Sequence, residues 1–245
     1  MPLFWGRQTE RAVKKIIAFI AFESPWFPAG GIAAVLGRLP GATEAAAGLP
    51  TVVITPFHLR SEKIAALEMD DLGDFELPYD TGAVRVTVFY HHEPCAWYFL
   101  KPGQPSAWHS SVFAGTQHPY DRPKDGLLRD ALFFGAAAVR ALPIIAKHLK
   151  AVPESVEWHL FAQDWEGATA LLAFASQVDV RGKCHLTLHN SYDASAPPAE
   201  LSRVGIDPGC CPGDTILNRS SPGKKGAFSH NPWILHCFLF FPRDA

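Results

Sequence analysis

Three short groups of polar residues or glycines stand shortly after apolar runs that have the length and composition of strands. These groups are Gly30 and Gly31, Asp164 and Trp165, and His189 and Asn190. Because ligands of open α/β sheets bind outside the carboxyl ends of the strands, the three groups are candidates for one shared site. A carboxylate and an amide hold hydroxyl groups, and an aromatic ring covers an apolar ligand face. These residue types therefore suit a ligand that carries hydroxyl groups.

The glycine pair has two interpretations. Gly30 and Gly31 precede a predicted helix at 31–39, and free backbone N–H groups there, with the helix dipole, suit a phosphate or an anionic leaving group. The missing side chains let a ligand approach the backbone. The alternative is a tight turn that binds nothing.

The other candidates also have structural alternatives. Asp164 is either a site residue or the cap of a helix that begins near Gly167, and Trp165 is either a site residue or part of the core. Tyr120 and Asp121 precede a long predicted helix, where Asp121 could be only a turn or cap residue. His91 and His92 are interpreted as a loop pair, and no acidic cluster indicates a metal site. No metal or other cofactor is therefore expected.

Composition indicates an ordinary globular protein. The 245 residues are 48% hydrophobic and 19% charged, which fits one α/β domain at 1–220 followed by an atypical tail at 221–245. The formal net charge of −2 provides no general attraction to nucleic acid or to an anionic membrane. Neither is expected as a partner.

The five cysteines lack the spacing of a disulfide framework or a zinc site, so a reducing cytoplasm is the expected location. They are Cys95, Cys184, Cys210, Cys211 and Cys237. The first apolar run is broken by Glu23 and Pro25, so it is too short to span a membrane. It also lacks a small-residue cleavage site, and a buried strand is the better interpretation.

Apolar runs alternate with helical patterns along the chain. The predicted strands are 16–22, 51–54, 84–90, 96–100, 156–161 and 185–188, and the predicted helices are 31–39, 127–150 with an interruption at Pro143, 167–176 and 201–206. The alternation predicts a Rossmann-like, mainly parallel sheet with helices on both faces, decorated by an antiparallel hairpin at 84–100. The alanine-rich stretch 42–47 is interpreted as a helix end and turn, and 214–220 could start another helix.

Four motifs in this order resemble the N-terminal catalytic domain of bacterial glycogen synthases and plant starch synthases, which are ADP-glucose-type retaining glucosyltransferases. The motifs are Glu23 through Gly30-Gly31 to Leu39-Pro40, His118-Pro119-Tyr120-Asp121-Arg122-Pro123, Phe161-Ala162-Gln163-Asp164-Trp165 and Leu186-Thr187-Leu188-His189-Asn190. In that family the corresponding segments carry an acidic residue before a Lys-x-Gly-Gly loop, Tyr-Asp-Arg-Pro, His-Ala-His-Asp-Trp and a strand that ends in His-Asn.

The resemblance implies the glucan-side lobe of a two-lobed GT-B fold, with a second Rossmann lobe that supplies most contacts to the nucleotide-sugar. It implies catalytic roles for His189 and Asp164, with His189 bonding a hydroxyl of the transferred glucose. The substrate-binding residues that it implies are Gly30, Gly31, Tyr120, Gln163, Trp165 and Asn190. The expected ligands are ADP-glucose, or another nucleotide-glucose, and an α-1,4-glucan such as glycogen or starch.

This sequence departs from the family pattern at residues that bear on activity. The lysine before the glycine pair is replaced by Pro28 or Ala29, and Ala34 stands where the family has an acidic residue. Gln163 replaces the second histidine of His-Ala-His-Asp-Trp, which keeps hydrogen bonding but removes a chargeable group. The chain ends at Ala245, before a second lobe, so a truncated synthase with a frame-displaced tail from about 221 is one expectation.

Three functions follow as hypotheses. The first is glucosyl transfer from ADP-glucose to the non-reducing end of an α-1,4-glucan with retention of configuration. The second is a catalytically incomplete glucan-binding or regulatory fragment that lacks the donor-binding lobe. The third, a separate nucleotide-binding protein, is disfavoured because no GxGxxG fingerprint follows the first strand.

Overall fold

A computed structural model describes residues 13–103, 112–122, 124–177, 179–189 and 196–210, with the side chains of residues 124, 125 and 210 excepted. The central element is a seven-stranded sheet whose strands have the order β3-β4-β5-β2-β1-β6-β7. The strands are β1 (Lys14–Ile20), β2 (Thr51–Pro56), β3 (Asp70–Tyr79), β4 (Gly82–His91), β5 (Ala96–Pro102), β6 (Val156–Gln163) and β7 (Arg181–Thr187). The helices are α1 (Gly31–Leu36), α2 (Leu39–Ala47), α3 (Glu62–Ala65), α4 (Lys124–His148), α5 (Asp164–Ala175) and α6 (Pro198–Arg203).

The middle of the sheet is parallel. Strand β1 pairs with β2 and β6, β2 also pairs with β5, and β6 also pairs with β7, all in parallel. Strand β4 is antiparallel to β5, which confirms the predicted hairpin, and it pairs with β3 on its other side. The predicted mainly parallel α/β sheet is therefore confirmed.

Helices cover both faces of the sheet, as predicted. On one face Ile16, Ala18 and Ile20 of β1 lie in the same hydrophobic cluster as residues of α4 and α5. On the opposite face Ile17 and Phe19 cluster with residues of α1 and α3. Strand β1 is buried on both faces, which explains its continuous apolar sequence.

Strand β3 was not predicted from the sequence. Its sequence DDLGDFELPY is rich in acidic residues and contains a glycine and a proline, which are depleted in strands. It lies at the edge of the sheet with most of its residues exposed, and its backbone pairs with β4. Pairing with an apolar neighbour therefore forms a strand that its own composition does not favour.

Two predictions about helices are wrong. The helix predicted at 31–39 is two helices, α1 and α2, because the chain turns at Gly37 and Arg38. The predicted interruption of α4 at Pro143 is absent. Pro143 lies on the exposed side of α4, and the helix continues through it although its nitrogen carries no hydrogen.

The remaining sequence predictions have simpler outcomes. The stretch 42–47, interpreted as a helix end and turn, is helical throughout and forms the last six residues of α2. The short helix predicted at 201–206 is α6, which begins and ends three residues earlier. The predicted helix at 214–220 and the tail at 221–245 lie outside the described residues. Among the helices that the structure describes, none is both long and apolar enough to cross a membrane.

Helices α4 and α5 pack so closely that a glycine is required between them. A Cβ atom at Gly135 would overlap Thr169 and lie 2.6 Å from the backbone nitrogen of Ala170. The Thr169 hydroxyl also donates to the carbonyl oxygen of Ala131 at 2.7 Å, which ties the two helices together. This contact fixes the position of α5 along the axis of α4.

We expect Gly135→Ala to destabilise the fold by about 1–3 kcal/mol, because the backbone of α5 must move to admit a methyl group. The free energy of unfolding in urea measures the effect. Gly41→Ala in α2 is the matched control, since a Cβ there meets nothing within 4 Å. Equal stability of G135A and the wild type would show that the helices are not so tightly packed.

Candidate active site

Three chain segments meet at the carboxyl edge of the sheet. Ile20 of β1 is paired with Ala162 of β6, so the segments that follow these two strands begin side by side. The register of β6 with β7 ends at Gln163 and Thr187, which brings His189 to the same place. The predicted convergence of strand ends is therefore found here.

The buried carboxylate of Glu23 connects the glycine loop to Tyr120. One oxygen, Oε2, accepts from the backbone N–H groups of Ala29 and Gly30 at 3.0 and 2.9 Å. The other oxygen, Oε1, accepts from the Tyr120 hydroxyl at 2.8 Å. Glu23 is 2% exposed, so these bonds replace most of its contact with water.

The expectation of a free amide at Gly30 is wrong. Its N–H group is bonded to Glu23, a residue seven positions earlier that folds back under the loop. Gly31 is exposed and has open space where a side chain would be, which leaves room for a ligand beside the loop. The loop itself contains no lysine or arginine from Glu23 to Gly31.

Tyr120 lies inside the site, whereas Asp121 is a turn residue. The Tyr120 ring stacks on Phe22 with ring centroids 6.0 Å apart. Burial, the nearby carboxylates and the bond to Glu23 all raise the pKa of its hydroxyl. The exposed Asp121 carboxylate accepts from the Thr116 hydroxyl and from the Gln117 backbone N–H, which confirms the turn interpretation.

Two consecutive residues of the strand-to-helix turn hold His189. The Asp164 Oδ1 atom accepts from the His189 backbone N–H at 2.6 Å, and Gln163 Oε1 lies 2.8 Å from His189 Nε2. Gln163 and Asp164 are 2% and 1% exposed, whereas His189 is exposed. Helix α5 begins at Asp164 itself. The alternative that Asp164 caps a helix beginning near Gly167 is therefore wrong.

The other two predicted residues of this group have different outcomes. Trp165 is half-buried and belongs to neither hydrophobic cluster, so the interpretation as a core residue is wrong. Part of Trp165 is therefore exposed to solvent at the first turn of α5. Asn190 lies outside the described residues.

Glu166 is a buried carboxyl group that the sequence analysis did not single out. It is 5% exposed, and burial, together with the charges of Asp164 and Glu23, raises its pKa to about 8. The cause is local packing: a Cβ atom at the next residue, Gly167, would lie 2.7 Å from the carbonyl oxygen of Ile20. The first turn of α5 therefore lies directly against β1, and this close packing buries the Glu166 carboxyl group.

His58 is a second buried titratable residue near the glycine loop. Its Nε2 atom lies 2.7 Å from the carbonyl oxygen of Phe22, and burial lowers its pKa to about 4. The ring is therefore neutral at neutral pH, and it packs edge-on against Phe22. No motif marks this histidine in the sequence; only the fold brings it beside the end of β1.

Metal ligation was not expected, and His91 and His92 have other contacts. His91 Nδ1 lies 2.9 Å from the carbonyl oxygen of Glu68, and His92 Nδ1 lies 2.9 Å from the Tyr90 hydroxyl. Within the described ranges, no group of three or more His, Cys, Asp or Glu side chains is placed to hold a metal ion.

Comparison with known proteins agrees with this architecture. The family model of the starch synthase catalytic domain matches residues 16–221. The solved catalytic domain of starch synthase IV from Arabidopsis thaliana, bound to ADP and acarbose, is similar with a TM-score of 0.59 and 18% identity. That match covers 80% of this chain and 38% of the solved chain. No curated protein sequence matches the chain.

The fold is thus that of one Rossmann-like lobe of a GT-B protein, with polar residues gathered at the carboxyl edge of its sheet. Since the family model covers most of the chain, the protein belongs to the starch synthase catalytic domain family. The chain spans well under half the length of the solved relative.

The raised pKa of Glu166 predicts that ionisation of this residue destabilises the fold. In the unfolded chain the carboxyl group ionises near its ordinary pKa of 4.5, but in the folded protein it does so near 8. The native state therefore holds an extra proton between these values, and stability is lost as the pH rises from 4.5 to 8.

We expect Glu166→Gln to remove this loss, so that it exceeds the wild type in stability by about 3–5 kcal/mol above pH 8 and matches it near pH 4. Urea unfolding at several pH values measures the difference. The exposed Glu154→Gln is the control and should follow the wild type. A pH-independent difference between Glu166→Gln and the wild type would contradict the assignment.

Proposed function

We propose that this chain is the glucan-side lobe of a retaining glucosyltransferase that transfers glucose from ADP-glucose to the non-reducing end of an α-1,4-glucan. The observation that supports this most is the exposed imidazole of His189, anchored by two buried side chains at the carboxyl edge of the sheet. Membership of the starch synthase family supplies the reaction class. A second Rossmann lobe would complete the site.

The residues have distinct roles in this proposal. His189 bonds a hydroxyl of the transferred glucose, and the Trp165 ring covers an apolar face of the sugar. The carboxylate of Asp164 holds the backbone of His189, so its catalytic contribution is to fix the position of that ring. Tyr120 and Gly31 line the sugar and acceptor path, and Asn190, which follows His189 in the sequence, is proposed to bond a hydroxyl of the transferred glucose. The reaction requires no metal or other cofactor.

The solved relative supports the expected ligands. Its title records ADP and acarbose, which are a nucleotide and a mimic of a glucan. We infer that this chain takes the same two classes of ligand, as part of glycogen or starch synthesis. The free thiols Cys95 and Cys184 fit a reducing cytoplasm, where we place the activity.

A second candidate function is glucan binding without glucosyl transfer. One observation favours it. The backbone N–H of Gly30 already donates to the Glu23 carboxylate, and the loop lacks the lysine of the family pattern. A diphosphate near this loop would meet the negative charge of Glu23 instead of a cation. The glucan-binding residues would still be in place.

The first experiment incubates the purified chain with radiolabelled ADP-glucose and glycogen, beside a glycogen co-sedimentation assay. Incorporation of label into polymer supports the transferase, and we expect His189→Ala to lower it about tenfold or more, as loss of a hydrogen bond in the transition state requires. His92→Ala is the control for loss of a histidine outside the site. Co-sedimentation without incorporation would show a glucan-binding lobe that awaits or lacks its partner half, whereas absence of both would contradict both candidates.

A second experiment tests whether the negative charge of Glu23 weakens nucleotide binding. We expect Glu23→Gln to bind ADP about tenfold more tightly than the wild type, because a negative charge beside the diphosphate is removed. Isothermal titration with ADP measures the affinity, and the exposed Glu62→Gln is the control. Equal affinities of Glu23→Gln and the wild type would show that Glu23 does not exclude the nucleotide.

A further inference from the structure

We propose that Gln163 is a positioning residue that fixes the imidazole of His189 in one tautomer, with its proton on Nε2 and its lone pair on Nδ1. This assigns Gln163 a role different from direct substrate binding. It rests on the proposed function only where the ligand of the Nδ1 atom is concerned.

The hydrogen bonds of Gln163 determine which way its amide points. Its Nε2 group donates to the carbonyl oxygen of Phe161 at 3.3 Å. Because a carbonyl oxygen can only accept, the amide nitrogen must lie on that side, and Oε1 therefore faces His189. With 2% of its surface exposed, the amide has little freedom to turn or to reach a ligand.

The orientation of the amide dictates the position of the imidazole proton. Gln163 Oε1 lies 2.8 Å from His189 Nε2, and an amide oxygen accepts hydrogen bonds but donates none. The His189 Nε2 atom must therefore carry a proton. In the neutral ring the other nitrogen, Nδ1, is then the acceptor.

Asp164 makes this arrangement possible through its backbone. Successive side chains of a strand point to opposite faces, yet Gln163 and Asp164 both contact His189. The break in alternation occurs at Asp164, whose φ of 55° lies in the left-handed region. Aspartate adopts that conformation more readily than most residues, so the turn and the carboxylate contact come from one side chain.

Gln163 also sets the kind of ligand that His189 can receive. An amide carries no charge, so it does not stabilise a charged imidazolium as a carboxylate would. Of the described carboxylates, Asp164 contacts His189, and it accepts from the backbone N–H and not from the ring. A neutral ring with its lone pair on Nδ1 accepts a hydrogen bond from a hydroxyl group, which matches the sugar of the proposed function.

The test is to observe the imidazole nitrogens of His189 directly by ¹H–¹⁵N NMR of the ¹⁵N-histidine-labelled protein at a pH where the ring is neutral. The His189 signals are assigned by their loss in His189→Asn. We expect the wild type to show the Nε2–H tautomer, and Gln163→Leu to show a mixture in which Nδ1–H is populated. Gln163→Glu, which keeps an acceptor, should retain the Nε2–H tautomer.

Controls separate positioning from general structural damage. The signals of His92, outside the site, should not change in any variant. If Gln163→Leu does not fold, Gln163→Asn replaces it, since its shorter amide cannot reach His189 from the same backbone. An Nδ1–H tautomer in the wild type, or an unchanged tautomer in the variant, overturns the proposal.

Titration with ADP-glucose, which carries the glucose that His189 is proposed to bond, distinguishes this inference from the proposed function. If the tautomer changes in Gln163→Leu and its affinity for ADP-glucose falls about tenfold, both are supported. If the tautomer changes while wild type and variant bind ADP-glucose equally or not at all, Gln163 still positions His189 and the proposed ligand is wrong. If binding falls without a change of tautomer, the positioning proposal is wrong.

Discussion

The close approach of α5 to the backbone of β1 and α4 is the constraint on which the site depends. Gly167 faces the carbonyl oxygen of Ile20, and Gly135 of α4 faces Thr169 and Ala170, at distances that leave no room for a side chain. Contacts with β1 through Gly167 and with α4 through Gly135 therefore fix the position of helix α5. Because its first residues are Asp164 to Glu166, this packing sets the positions of the buried acids that border the candidate site.

The same packing explains which features could be predicted from the sequence. Strands β1, β2, β5 and β6 were predicted because they are covered on both faces and read as apolar runs. Strand β3 was not, since its backbone pairing with β4 decides its conformation. In the site, the strand ends pointed to Asp164 and His189, whereas the burial of Glu166 and His58 arises from packing between distant segments.

The glycine loop shows how a local motif can mislead. Two glycines before a helix suggest free amides, but that inference assumes that nothing in the chain bonds to them. Here Glu23 folds back and accepts from Ala29 and Gly30, so the protein supplies the anion itself. The loop is thus preorganised around a carboxylate, and a phosphate would have to displace or approach that charge.

The two anchors of His189 differ in a way that bears on its chemistry. Asp164 bonds the backbone and so fixes where the residue lies, whereas Gln163 bonds the ring and so fixes how it is protonated. A histidine at position 163, as in the family pattern, could either donate to the ring or accept from it, and it could also gain a proton. Glutamine removes those choices, because the Phe161 carbonyl orients its amide. The departure from the family pattern is therefore consistent with a site that recognises neutral hydroxyl groups through His189.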